Sequence, residues 1–379
     1  MADKDDSITD ALLRREVFLQ KFASHLVNED LDGTIQSFSK KLPSLLSEFG
    51  DAEGLNKTER TVITRSVEIE MREQWGKMWI GITGQLDEMA INDADHVANI
   101  YDDILDVDLT VPKESILLGH INNAIMTVTS GSAKNPVTQA GVWTKFTREN
   151  TDAATKAVNG AIWDGYSNGL TNNQIAQQVR GKFNRRTKTF EGGILQGRTR
   201  AQGDALVRTG ANHFANQARD RTYQANTDIL EKRILFATMD SRTSDICIRR
   251  HLQEWDITDK SYPRLPFHWN ERSVYVVKVK GLDPLDGDRP SVGGKLDKDG
   301  NLKRDVQLIP SDTTWDSFLR RQPRAFVEET LGKTRAKLFI DGKMDIKKFT
   351  DMTGKSITLK DLKAKPSLKS AFDKAGLSD

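Results

Sequence analysis

A single cysteine, Cys247, occurs among 379 residues. One thiol excludes an intramolecular disulfide framework and any four-cysteine zinc module. No apolar run approaches the ~20 residues that a membrane-spanning helix needs. The opening residues, with Asp3, Asp5 and Asp6, do not read as a signal peptide. Catalytic signatures are equally scarce: there is no kinase set and no His-Glu-x-x-His. Gly332-Lys333-Thr334 is similar to the end of a phosphate-binding P-loop, but that loop needs a glycine where Val327 stands, so Gly332 reads as a helix breaker. The chain is 37% apolar, enough to bury a core, and 29% charged with a net +2, too balanced for a disordered polyelectrolyte. These figures predict a soluble protein made in a reducing compartment, with room for two or three domains.

The small total charge hides an asymmetry: residues 1–150 carry about −10 and residues 151–379 about +12. Asp102, Asp103, Asp106 and Asp108 mark the acidic half. In the basic half Lys182, Arg185, Arg186, Lys188, Arg198 and Arg200 lie close enough in sequence to form one patch. Only Phe183 and Phe190 interleave with them, which disfavours stacking on single strands. Salt-sensitive, sequence-blind contact with the phosphates of double-stranded DNA is the binding such a patch supports. The plainer alternative is a solvated face, and a pI of 8.4 lies below the ~9 of a dedicated nucleic-acid domain.

Apolar spacing predicts helices in the first half. Leu12, Leu19, Phe22 and Leu26 recur between Ala11 and Val27, and Met71, Trp75, Met78, Ile82, Leu86 and Met89 line one face of a segment from Thr58 to Ala90. Residues 131–136 are the first clear break; Pro136 then suits a first helical turn, with helix to about Asn168. Thr171 and Gln174 fit a capping box for a helix carrying Ile175, Val179 and Phe183. After a basic loop, Arg185 to Lys188, a long polar helix is expected from about Gly197 to Lys232. Ile234 to Thr238 and Ser273 to Lys280 read as strands, with a short helix capped by Ser244 and a Pro-rich extended loop, 262–270, between them. Residues 283–305 read as a loop containing a hairpin-like Asp297-Lys298-Asp299-Gly300, and helix returns at Trp315, Phe318 and Leu319. The expected fold is α+β, mostly helical, with a small β-sheet in the C-terminal half. Its regions are a helical stretch over 1–130, a central region over 136–310 and a helical tail over 311–379. The core should hold Ile234, Phe236, Val274, Val276 and Trp315.

Two constellations carry candidate chemistry. Cys247 and His251, four apart, would share a helix face, and His268 follows a loop later; a thiolate and two imidazoles bind zinc when Glu271 or a water completes the tetrahedron. The same residues also read as a buried thiol and two hydrogen-bonded imidazoles, which is the expectation without Cys-x-x-Cys spacing, so no metal or cofactor is expected. Asp240, Arg242, Asp245 and Arg272 form either an acid–base pair or a bidentate clamp. The clamp is favoured, because an irregular Pro-rich loop leaves carbonyls that guanidinium donors satisfy. Asp240, Arg242, Cys247, His268, Asn270 and Arg272 are thus structural candidates, and no residue is assigned a catalytic role. His268 should sit in a packed knot rather than in a polar cavity, and Arg242→Ala should disturb folding. His25, His96, His120 and His213 read as ordinary surface or core histidines.

Several stretches resemble the phage minor head protein family, the Mu F-like head morphogenesis proteins. Thr238-Met239-Asp240-Ser241-Arg242-Thr243-Ser244-Asp245-Ile246-Cys247 is similar to the family's Asp-x-Arg-Thr-x-x-x-Cys segment, and Leu265-Pro266-Phe267-His268-Trp269-Asn270-Glu271-Arg272-Ser273 to its Pro-Pro-x-His-x-Asn-Cys-Arg-Ser. Upstream, Ala205 to Asn212, with Arg208-Thr209, resembles the family's Ile-Ala-Arg-Thr-Glu-x-Asn helix, and Gly169 to Ala176 the preceding helix start. Trp315 to Leu338 resembles a tail found in many members. The likeness covers about residues 155–365 and departs at Leu265, Gly210 and Glu271, where the family has proline, glutamate and a second cysteine. It implies a head-morphogenesis domain over the central region. The implied role is structural and non-enzymatic: a minor capsid protein of the virion, in the capsid interior or at the portal vertex and in the host cytoplasm during assembly. Its partners would be the portal protein, other head proteins and packaged double-stranded DNA, with no membrane span. The alternatives are a DNA-processing or toxin-like enzyme delivered with the genome, with Asp240, Arg242, His251 and His268 in a cleft, or a DNA-binding ejection protein.

Overall fold

The computed structural model describes residues 7–117, 123–131, 136–282, 286–351 and 354–378; His120 lies outside them. The fold is α+β and mostly helical. Helix α1 (Ile8–Leu26) runs through a π turn into α2 (Asp32–Leu46), and α3 (Lys57–Leu105) follows. The last is 49 residues long, far beyond the expected end at Ala90. It starts in a capping box: Asn56 Oδ1 accepts from Glu59 N at 3.0 Å and Glu59 Oε2 accepts from Asn56 N at 2.8 Å. The apolar stripe continues to Val97 and Tyr101, and Asp106, in the left-handed region at φ 55°, ends the helix.

A short α4 (Lys113–Leu117) precedes the hairpin β1 (Met126–Gly131) and β2 (Pro136–Gly141). Pro136 therefore opens an exposed edge strand rather than a helix, and α5 (Trp143–Ser167) begins later. Thr171 and Gln174 form the expected capping box of α6 (Asn172–Arg180). Phe183 is not on that helix: it stands exposed on β3 (Lys182–Asn184), which pairs with β4 (Thr189–Glu191). Helix α7 (Arg200–Ala225) is polar in sequence yet central in space, with Thr209, Asn212, His213 and Arg219 buried. It packs on α1, α3 and α5. Arg219 bridges Asp93 of α3 through Nε at 2.6 Å, and Arg15 of α1 reaches the same carboxylate at 2.7 Å. Both oxygens of this wholly buried group are thus met by guanidinium donors, which offsets the penalty of burying charge.

Three strands form an antiparallel sheet ordered β6 (Glu254–Asp256), β5 (Leu230–Phe236), β7 (Val274–Val279), with the short helix α8 (Asp245–Arg250) between β5 and β6 in sequence. Ile234, Phe236, Val274 and Val276 are at most 1% exposed, and the sheet joins the C-terminal end of α3 through Tyr101, whose hydroxyl donates to Val277 O and accepts from Val277 N, both at 2.9 Å. The stretch 283–305, expected as loop, enters from Asp288 a long hairpin of β8 (Asp288–Leu296) and β9 (Leu302–Pro310) around the Asp297–Gly300 turn. Its buried Arg289 donates to Ala237 O at 2.7 Å. Trp315 is buried in α9 (Trp315–Arg320), which packs with α10 (Arg324–Leu331), α11 (Lys333–Ile340), α12 (Leu359–Lys363) and α13 (Lys369–Lys374) in a separate apolar cluster. Gly332, at φ 77°, breaks the chain between α10 and α11.

Candidate functional site

Three separated stretches meet at one cavity of about 920 Å³. From α7 come Arg208 on its wall and Thr209, whose hydroxyl oxygen accepts from Asn270 N at 3.0 Å. Asn212, one turn on, donates to Ser273 O at 3.3 Å. From the β5–α8 connection, Thr238 Oγ1 donates to Arg272 O at 3.1 Å. Asp240 accepts Arg272 Nη2 at 2.9 Å and Nη1 at 2.5 Å, together with the Arg242 N–H at 2.9 Å. Burial pushes the Asp240 carboxyl up, but the Arg272 guanidinium outweighs it and holds the group below its ordinary value.

Arg242 plays a different part from the one expected. Its side chain is 79% exposed and, among the described residues, pairs with Asp240 at 3.6 Å, so the short guanidinium bonds to Asp240 come from Arg272. Asn270 contributes backbone rather than side chain: it is exposed and adopts φ 60°, a left-handed conformation that asparagine tolerates, which aims its N–H at Thr209. Phe267, three residues before Asn270, is held by its carbonyl, which accepts from Thr129 N of β1 at 2.9 Å.

His268 lines the cavity rather than a closed knot. Its Nε2 lies 3.2 Å from Cys247 Sγ and 3.2 Å from Glu271 Oε2, and Sγ lies 3.3 and 3.4 Å from the two Glu271 oxygens. Cys247 and Glu271 are each 1% exposed. Burial, reinforced by the adjacent carboxylate, pushes the Cys247 thiol well above its ordinary value. Burial also acts to raise Glu271, yet the imidazole and the N–H groups of Ser273 and Arg272 together hold it low. His251 is not part of the group. Its Nδ1 accepts from Ala237 N at 3.2 Å and its Nε2 faces the carbonyl of Thr313 at 3.2 Å, so both ring nitrogens are engaged elsewhere. Neither His251 nor Asp240 is among the residues lining the cavity, and Asp245 is turned to Arg335, 2.7 Å away.

Glu16, on the opposite wall, went unnoticed in the sequence. It is 3% exposed; Oε1 accepts from Asn212 and Gln20, both at 3.3 Å, and Oε2 has no hydrogen-bond partner among the described residues. Burial raises its carboxyl to about 7 against the pull of Arg219. The signal available was a carboxylate on the apolar face defined by Leu12, Leu19 and Ala23.

The basic candidates split. Lys182, Arg185, Arg186 and Lys188 stand exposed on the β3–β4 hairpin, and Arg198 is exposed on the turn before α7. Arg200 is drawn aside into a bidentate pair with Asp32, at 2.6 and 2.8 Å. Gly210 of α7 lies tight against a ring: an added Cβ would be 2.6 Å from Trp143. No protein-family model, curated protein or solved structure matches the chain.

Proposed function

We propose that this chain is a minor head protein acting in phage head assembly at the portal vertex, a structural component with its basic hairpin turned toward packaged double-stranded DNA. The observation that carries the reading is the convergence of the three resembling stretches. Thr209 and Asn212, Asp240, and Asn270 with Arg272 and Ser273 are far apart in sequence, yet they bond to one another around one loop. The distribution of charge supports it as well. Exposed Asp102, Asp103, Asp106 and Asp108 at the end of α3 suit a protein partner, and four exposed cations on one hairpin suit phosphates. A pull-down of the purified chain with the portal protein of the same phage, across a salt series, tests the reading. Retention at physiological salt supports it, and no retention at any salt overturns it.

The cavity favours a second reading, a DNA-processing enzyme delivered with the genome. Cys247 is a poor nucleophile in this setting, since the thiolate is disfavoured by burial and by Glu271, so such an enzyme would work through His268 and Glu271. DNA cleavage in the presence of a divalent metal, abolished by His268→Ala, would establish it in place of the first.

A further inference from the structure

We propose that Cys247, His268 and Glu271 form a binding site for a divalent ion of the zinc class, with a further coordination position facing the cavity. One donor atom from each lies within 4.8 Å of the others. A tetrahedral zinc with ordinary bond lengths sets sulfur, nitrogen and oxygen ligands roughly 3.3–3.6 Å apart. The observed separations of 3.2 to 3.4 Å need only a few tenths of an ångström of adjustment. Two of the three residues come from one loop and the third from α8, so this approach is a product of the tertiary fold.

The surroundings orient the donors. His268 Nδ1 lies 2.8 Å from the carbonyl of Trp269. A carbonyl only accepts, so Nδ1 carries the hydrogen and Nε2 is turned inward. Its neighbour there is a carboxylate oxygen, and two lone pairs 3.2 Å apart require a proton or a cation between them. Glu271 is fixed by backbone donors as well, from Arg272 N and Ser273 N at 2.9 Å and Phe267 N at 3.3 Å. Imidazole and carboxylate ligands held this way by outer hydrogen bonds are typical of metal sites. A thiolate, an imidazole and one carboxylate form a borderline donor set that suits zinc, whereas magnesium and calcium require oxygen ligands. Binding displaces the thiol proton, and any proton shared between Nε2 and Oε2, to solvent. All three residues line the cavity, so a water or a ligand oxygen has access to the remaining position.

The inference goes beyond the minor-head reading and does not rest on it: portal binding and metal binding can fail separately. The test is cobalt titration of the full chain after treatment with a chelator. One equivalent of Co²⁺ is expected to give a thiolate-to-cobalt charge-transfer band and the ligand-field absorption of a four-coordinate site, both removed by Zn²⁺. Cys247→Ser should abolish the charge-transfer band and weaken zinc at least tenfold. Glu271→Cys, which adds a second thiolate, should intensify the band and tighten zinc binding. Absence of the band in the folded wild-type protein overturns the proposal, as does a band undiminished in Cys247→Ser. If Cys247→Ser does not fold, the wild-type titration alone decides.

Discussion

Replacing Glu16 by glutamine should stabilise the protein, and only above mildly acid pH. The carboxyl is buried on the apolar face of α1, its Oε2 has no hydrogen-bond partner among the described residues, and burial raises its titration from an ordinary 4.5 to about 7. In the unfolded chain the proton leaves near the ordinary value; in the folded protein it is held until about 7. Between those limits folding is opposed progressively as pH rises, and above them the penalty is complete. The difference between the two values corresponds to about 3 kcal/mol at ~1.4 kcal/mol per pH unit. Glutamine keeps the oxygen that accepts from Asn212 and Gln20 and carries no charge to desolvate. Urea denaturation of both proteins at pH 4 and pH 8 measures the effect, with all other titrating groups cancelling in the difference. Near-identical stability at pH 4 and a gain approaching 3 kcal/mol at pH 8 are expected. A difference that does not change with pH, or a variant less stable than the wild type at pH 8, would refute the reasoning.

Asp93→Asn leaves Arg219, 1% exposed, without its ion-pair partner and should cost about 3–5 kcal/mol in denaturant unfolding; a loss below about 1 kcal/mol would mean that water already reaches the guanidinium. Arg272→Ala strips the buried Asp240 of its two guanidinium bonds and should cost about 2–4 kcal/mol. Because Asp240 titrates below its ordinary value, that stabilisation is present above about pH 4 and is lost as pH falls, so the two proteins should converge in acid. Arg242→Ala should change stability by no more than about 0.5 kcal/mol, against the expectation from sequence, and thermal melts of the two variants side by side separate these outcomes. Gly210→Ala should destabilise by about 1–2 kcal/mol despite alanine's better helix propensity, because its Cβ meets the Trp143 ring. Gly76→Ala, with nothing within 4 Å of the new methyl, should stabilise by up to about 1 kcal/mol, so equal effects at the two positions would discount the steric argument.

The helices were legible because burial on one face leaves a periodic trace: Met71, Trp75, Met78 and Ile82 announce α3 without any structural knowledge. Its continuation was harder to read, since Asp93 interrupts the stripe and only the arrival of Arg219 and Arg15 from other helices makes that position tolerable. β2 left no trace because its residues are almost all exposed, so no alternation distinguishes inside from outside. The β8–β9 hairpin was hidden by Pro290, Gly293 and Gly294, residues that usually speak against strands, although the turn joining its strands was visible. Arg242 and Arg272 are equivalent in sequence as partners for Asp240, and the choice between them is made by where the loop runs. The proximity of Glu271 to Cys247 and His268 was anticipated only as one of two ways to complete a ligand set; the exclusion of His251 needed the carbonyl of Thr313.

Helix α3 contributes Ile63 through Ala94 to the helical core and Val97 through Tyr101 to the core beneath the sheet. A rod of 49 residues, about 74 Å at 1.5 Å per residue, therefore crosses both without a joint. Rotating one core against the other would mean bending an unbroken spine and opening its internal ladder. The cavity lies where α1 and α7, which pack on that spine, meet the loop before β7 and the β8–β9 hairpin, so its two helical walls are held relative to one another by the same beam. A ligand entering between α1 and α7 meets a spacing set by their packing on α3.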